Sequence, residues 1–182
     1  MKTAFGIIDV QNDFMNINGN LYVPGAENIK DAIKEIIEFG RKNHIVYFTQ
    51  DDHDGSEPEF KDNGGPFPHH CMVETDGQKN IEEAKPNWGE FCFHKKCYDV
   101  FDPELGNKNI AAWLKGYKIE EVYLAGVATD YCVKAHALGL RKLGIDTYVF
   151  IEGIAGVDPK TTEDAIKEMK AAGVQFIRFK NL

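Results

Sequence analysis

From end to end the chain alternates short apolar runs with helical patterns, and this alternation limits its possible folds more than any other feature. Apolar, β-prone runs occupy residues 4–8, 45–48, 91–95, 122–125, 146–151 and 174–179. Helical spacing of apolar side chains marks residues 26–42, through Ile29, Ile33, Ile36 and Ile37, and then 107–115, a stretch ending near 143, and 161–172. Asn107 is the expected cap of the second helix, and Thr161 or Thr162 that of the last. About six strands separated by helices predict a mostly parallel sheet with helices on both faces, an α/β fold in three α/β/α layers. With 182 residues and no repeat or linker, the expectation is one domain over residues 1–182.

In an open parallel sheet, ligands bind beyond the carboxyl ends of the strands. Asp9, Asp51, Lys95 and Cys132 each fall at or just past the end of a separate expected strand. They are therefore predicted to meet on one rim, although they are far apart in sequence. Cys132 lies in Gly126-Val127-Ala128-Thr129-Asp130-Tyr131-Cys132-Val133, between an apolar run and a helical pattern. At such a point, unpaired backbone N–H groups and the positive end of the helix dipole favour a thiolate, the nucleophilic form. A cysteine nucleophile needs a proton acceptor and a group that stabilises the anion. Asp9 offers the first and Lys95 the second. Each also has a plainer reading, Cys132 as a small core residue and Asp9 with Lys95 as a strand-end ion pair.

Residues 51–87 are the least regular third, with Pro58, Gly64-Gly65, Pro66, Pro68, Pro86 and a short helix expected near 78–84. A long loop inside a compact domain is usually functional or disordered, and the histidines and aromatics here favour function. Asp51-x-His53 puts two ligand side chains on one side of an extended segment. His69-His70 follow, with Glu57 and Glu59 between. A mixed histidine and carboxylate set suits one divalent transition metal, zinc first, with iron or manganese as alternatives. Phe14, Phe67 and Tyr98 flank these polar residues and can pack a flat ring, although as single aromatics they equally suit a core.

The net charge of −8, from 29 acidic and 21 basic residues, leaves no basic stripe and argues against nucleic acid or an anionic membrane as partner. No apolar run is long enough to span a bilayer, and Met1-Lys2 leads straight into a strand pattern without a signal-peptide core. The four cysteines form no C-x-x-C pair and no disulfide scaffold. A reducing, cytoplasmic setting is expected.

Together these motifs resemble the nicotinamidase branch of the isochorismatase-like cysteine hydrolases, over essentially the whole chain. Asp9-Val10-Gln11-Asn12-Asp13-Phe14 looks like the opening D-x-Q-x-D-F, and Asp51-Asp52-His53 like the D-x-H metal motif. Phe67-Pro68-His69-His70-Cys71 is similar to aromatic-P-x-H-C, and Lys95-Lys96-Cys97-Tyr98-Asp99-Val100-Phe101 to K-x-x-Y-S-A-F. The stretch from Gly126 to Val133 is similar to G-V-A-T-D-x-C-V, the most specific of the matches. The resemblance implies an Asp9–Lys95–Cys132 triad, choosing Lys95 over Lys96. It implies a cis peptide between Val127 and Ala128, and an oxyanion hole from the Ala128 and Cys132 N–H groups. It also implies metal ligands Asp51, His53 and His70, with Glu59 preferred to Glu57 as a further ligand, and a ring held between Phe14 and Phe67. Two departures stand out. Asp99-Val100 replaces the usual Ser-Ala, which is expected to add a charge near the pocket, and the loop around residues 62–65 looks longer than common forms.

The implied activity is hydrolysis of nicotinamide, and of analogues such as pyrazinamide, to nicotinate and ammonia through a thioester, a reaction of NAD salvage. The implied partner is a small-molecule amide, and family analogy adds a homo-oligomer. A sister reading is a cysteine hydrolase of ureido or carbamoyl amides, for which a pyridine-orienting metal would have no purpose. A vinyl-ether hydrolase of the isochorismatase type is disfavoured, because that branch lacks the nucleophilic cysteine. From a different class comes a non-catalytic metal or redox sensor with Cys132 as its thiol, a role that usually needs a resolving cysteine.

Overall fold

A computed structural model describes residues 1–182. Its strands are β1 (Thr3–Ile8), β2 (Ile45–Asp51), β3 (Phe91–Lys95), β4 (Glu121–Val127), β5 (Asp146–Ala155) and β6 (Gln175–Ile177). They form one sheet in the order β3-β2-β1-β4-β5-β6, and every pair is parallel. The helices are α1 (Asn12–Met15), α2 (Lys30–Asn43), α3 (Ile110–Gly116), α4 (Lys134–Lys142) and α5 (Pro159–Ala171).

The strand alternation sorts side chains onto two faces. Ala4 and Ile8 of β1 join Tyr47, Phe93, Val122 and Leu124 under Ile110, Leu114, Ala137, Leu140 and Met169 of α3, α4 and α5. Phe5 and Ile7 join Val46, Phe48 and Phe150 under Ile33, Ile36 and Ile37 of α2. These strands are covered on both faces and read as continuous apolar runs for that reason. Each fully buried large apolar side chain contributes about 1.5–3 kcal/mol. No helix is long and apolar enough to cross a membrane.

Several elements differ from expectation at their ends. The helix expected from residue 26 begins as a 3₁₀ turn, Ala26–Ile29. Asn107 does not cap α3: its Oδ1 accepts the Asn109 N–H at 3.0 Å, which makes a local turn before the helix starts at Ile110. In α5 the cap is Asp158, which accepts the Lys160 and Thr161 N–H groups at 2.8 and 3.2 Å, while Pro159 takes the first helical position. Thr161 and Thr162 lie inside that helix. The helix expected near 78–84 is only a 3₁₀ turn at Glu82–Ala84, and β6 stops after three residues.

Strand order reverses between β1 and β4, the switch point at which open α/β sheets bind ligands. The two strands approach closely there. Gly126 has φ 131°, and a Cβ on it would lie 2.0 Å from the Ile8 carbonyl oxygen, so only glycine fits.

Candidate active site

Asp9, Asp51, Lys95 and Cys132 come together on the rim above β3, β2, β1 and β4, and none is more than 7 % exposed. Asp9 is the first residue past β1 and has a left-handed φ of 50°, a conformation that aspartate tolerates better than most side chains. Its Oδ1 accepts the Thr49 hydroxyl at 2.6 Å, and its Oδ2 lies 2.8 Å from Lys95 Nζ. Lys95 also donates to Asp51 Oδ1, and its Nζ lies 3.9 Å from Cys132 Sγ. A carboxylate oxygen of Asp9, one of Asp51 and Cys132 Sγ lie within 4.8 Å of one another.

Cys132 sits in a π-helical turn, Thr129–Val133, between β4 and α4. The Ala128 carbonyl accepts the Tyr131 and Val133 N–H groups, each at 3.1 Å. The Val127–Ala128 peptide is cis, as the resemblance implies. From the same turn, the buried Asp130 carboxylate accepts the Val157 N–H at 3.0 Å and the Thr161 hydroxyl at 2.5 Å, which ties the cysteine turn to α5.

Burial and charge set the proton distribution. Burial works against the Lys95 charge, but the Asp51 and Asp9 carboxylates outweigh it and hold the ammonium well above its ordinary range. Burial also opposes the Asp51 charge, and Lys95 with the two imidazoles reverses that effect, so its carboxyl stays below the usual range. For Asp9, burial prevails over Lys95 and raises the carboxyl. The Cys132 thiol is likewise pushed well up by burial, with only partial relief from Lys95. The resting site therefore holds a neutral thiol beside a carboxylate more basic than usual. In such a pair the base must take the thiol proton as the nucleophile forms.

Asp51, His53 and His70 are buried, and their donor atoms cluster within 4.8 Å. His53 Nε2 lies 3.7 Å from Asp51 Oδ2 and 3.4 Å from Glu59 Oε1, and His70 Nε2 lies 3.8 and 3.6 Å from the same two oxygens. His70 Nδ1 is 2.9 Å from the Pro68 carbonyl and so must donate, which leaves Nε2 as the ligand nitrogen. Neither ring nitrogen of buried His53 has a hydrogen-bond partner. An orphaned imidazole facing two carboxylates and a second imidazole fits a divalent metal. Glu59 lies on the cluster side. Glu57 instead lies 3.7 Å from His53 Nδ1 and accepts the Asp54 and Gly55 N–H groups, so it backs the histidine. His69 is half exposed, near Asp62, outside the cluster.

These groups border a cleft of about 560 Å³, part of it open to solvent. Phe14, Phe67 and Tyr98 line it, as expected, with Ala128, Cys132, Asp51, Glu59 and His70. The Phe14 and Phe67 rings lie 5.4 and 6.0 Å from that of His70. Leu21, Tyr22, Val23, Tyr131 and Val157 also line it and were not read from the sequence. Only Tyr131, one residue from the nucleophile, carried a usable signal. The charge expected from Asp99 is absent from the cleft: its Oδ1 accepts the Phe101 N–H at 2.9 Å, which folds the carboxylate onto its own turn, and Asp99 borders a separate surface groove.

A family model described as the isochorismatase domain matches residues 3–180. The nicotinamidase/pyrazinamidase of Mycobacterium tuberculosis is 30% identical over 185 residues, covering 96% of this chain and 97% of that protein. The crystal structure of the pyrazinamidase of Pyrococcus horikoshii in complex with zinc superposes with a TM-score of 0.89 at 31% identity, covering 98% of this chain and all of that one. A protein from L. infantum, solved with nicotinate, superposes with a TM-score of 0.86 at 26% identity, covering 97% of this chain and 92% of that one.

Proposed function

We infer from the family to which this chain belongs, the isochorismatase family, and from the geometry of its rim, that the protein is a nicotinamidase. It hydrolyses nicotinamide, and pyrazinamide as an analogue, to the pyridine or pyrazine acid and ammonia. The observation that carries this is that Lys95 Nζ lies 2.8 Å from Asp9 Oδ2 and 3.9 Å from the Sγ of Cys132, which borders an aromatic cleft. The donor set beside it, Asp51, His53, His70 and Glu59, would hold one divalent metal, assigned as zinc by analogy with the Pyrococcus horikoshii complex. When bound, the metal supplies a Lewis-acid contact for the ring nitrogen and so fixes the orientation of the ring.

The side chains perform the rest. Phe14 and Phe67 hold the ring so that its carboxamide faces Cys132. Asp9 takes the thiol proton, and the Cys132 sulfur bonds to the carboxamide carbon. The oxyanion accepts hydrogen bonds from the Ala128 and Cys132 N–H groups, usually a large share of the rate enhancement. Asp9 returns the proton to the departing nitrogen, ammonia leaves, and a thioester remains. Asp9 then takes a proton from water, whose oxygen bonds to the thioester carbon; the carbon–sulfur bond breaks, Asp9 returns the proton to the Cys132 sulfur, and the acid leaves. Lys95 stays charged throughout: the Asp51 and Asp9 carboxylates hold its ammonium, and it in turn keeps Asp51 ionised while Asp9 exchanges the proton. A reducing, cytoplasmic location fits this chemistry, since all four cysteines are free thiols.

Ammonia release from nicotinamide by the zinc-loaded protein tests the reading. Release by the wild type and none by Cys132→Ala is expected. A wild type that is inactive on both nicotinamide and pyrazinamide would refute it.

A further inference from the structure

Two buried polar side chains beside the rim belong neither to the triad nor to the metal donor set. Gln11 is 0 % exposed and Asp13 is 6 % exposed. Both follow Asp9 on the segment that leaves β1.

β1 departs from β2 at the point where the metal donors begin. The last backbone bond between them runs from the Asp9 N–H to the Thr49 carbonyl, at 3.2 Å. Beyond it, the peptide groups of Asp51 have lost their strand partner on that side. Gln11 replaces it: Nε2 donates to the Asp51 carbonyl and Oε1 accepts the Asp51 N–H, both at 2.8 Å. A primary amide carries the donor and acceptor of a peptide group, so the side chain extends the ladder by one step. Its second N–H bonds the Gln78 carbonyl at 2.8 Å, so every polar atom of this buried amide is used.

Asp13 acts on the other donor segment. Its Oδ2 accepts the Cys71 N–H at 2.7 Å and its Oδ1 the Asn20 N–H at 3.0 Å. Cys71, next to His70, has a left-handed φ of 46° and accepts the His53 N–H at 3.2 Å. The carboxylate thus fixes the peptide that joins the His70 and His53 segments. Gly77 packs so tightly on it that a Cβ would lie 2.1 Å from Asp13 Oδ2.

We propose that Gln11 and Asp13 are positioning residues of the metal centre: they donate no ligand, and they hold the backbones that carry Asp51, His53 and His70 at coordination distance. This rests on the metal site assigned above. The support is geometric, because each side chain bonds the backbone of a donor segment while its neighbour Asp9 faces Lys95 and Cys132.

The test is zinc affinity, measured by competition with a chromogenic chelator, in the wild type, Gln11→Met and Asp13→Asn. Removing such supporting contacts typically lowers metal affinity by about 10–100-fold. Gln11→Met, which keeps the shape and loses the amide, is expected to fall in that range, and Asp13→Asn to lose about threefold or more. The cobalt-loaded variants are expected to show altered visible spectra at saturation, which a merely structural role would not produce. Alkylation of Cys132 by iodoacetamide in the metal-free proteins is expected to stay within about twofold of wild type. Unchanged affinities in both variants would overturn the proposal, as would an alkylation rate that falls in step with affinity. Should Gln11→Met fail to fold, Asp13→Asn carries the same test. A wild type that binds no zinc would refute the metal site itself, a result distinct from variants that bind as wild type does.

Discussion

Asp9, Asp51 and Lys95 stand at the ends of strands or one residue beyond them, whereas His53, Glu59 and His70 stand on a stretch whose regular elements are 3₁₀ turns of three residues. Both groups are deeply buried except for Glu59, which is partly exposed. What differs is how they are held. Parallel register places the first group: Ile8 is opposite Thr49, and Asp51 is opposite Lys95. The second group is held by isolated backbone pairs, such as the His53 N–H to the Cys71 carbonyl and the Phe67 N–H to the Glu59 carbonyl, and by side chains bonded to backbone, such as Glu57 accepting two N–H groups and Asn63 Nδ2 donating to the Gly55 and Glu57 carbonyls. Each such bond is worth about 1 kcal/mol net, so the irregular half is more easily disturbed and stands to gain more from a bound cation.

If the halves are separable, Cys132→Ala will lower amide hydrolysis by about 10³-fold or more and leave zinc content unchanged by elemental analysis. Loss of zinc along with activity would show that the two halves are one unit. His53→Ala and His70→Ala are expected to lose the metal and about 10²-fold in kcat/KM, while Cys132 is still alkylated at close to the wild-type rate. A third effect is a pH-dependent stability. His53, His69 and His70 each face a carboxylate, whereas His136 on α4 faces the Tyr47 hydroxyl at 2.7 Å. Burial, with a smaller push from Lys95, lowers the His136 pKa to about 3. An unfolded histidine binds its proton near pH 6.5. As the pH falls from about 6.5 towards 3, the unfolded state gains a proton that the folded state refuses, so stability falls, by up to about 1.4 kcal/mol per pH unit. Urea unfolding of His136→Gln between pH 6.5 and 4.5 will show a shallower slope than wild type, and equal slopes would remove His136 as the cause. The smallest effect is expected for Asp99→Ser. Its carboxylate lies outside the cleft, so kcat/KM should stay within about threefold. A larger change would return the charge to the pocket.

The regular half was the more legible in the sequence. The apolar run at residues 91–95 coincides with β3, and the strand-end rule alone gathers Asp9, Asp51, Lys95 and Cys132 on one rim. Local punctuation was read less well. Asp158-Pro159 outcompeted Thr161 as the start of α5, because an aspartate followed by a proline satisfies two N–H groups and presets the first turn. The role of Gln11 could not be read locally, since it bonds a peptide 40 positions away. The motif favours Glu59 over Glu57, which spacing alone leaves open; Glu59 faces both imidazoles, and Glu57 lies behind His53. Leu21, Tyr22, Val23 and Val157 reach the cleft only through the way their loops close over the rim, which no periodicity records.

The contact at Gly126 makes the sheet a caliper. The base hangs from the end of β1 and the nucleophile from the end of β4, so the gap between them is set by how closely two backbones lie side by side. A methyl group at position 126 would pry the jaws apart at Ile8. The gap across which a proton must pass would widen, and the same strain would fall on the strand pair at the centre of the sheet.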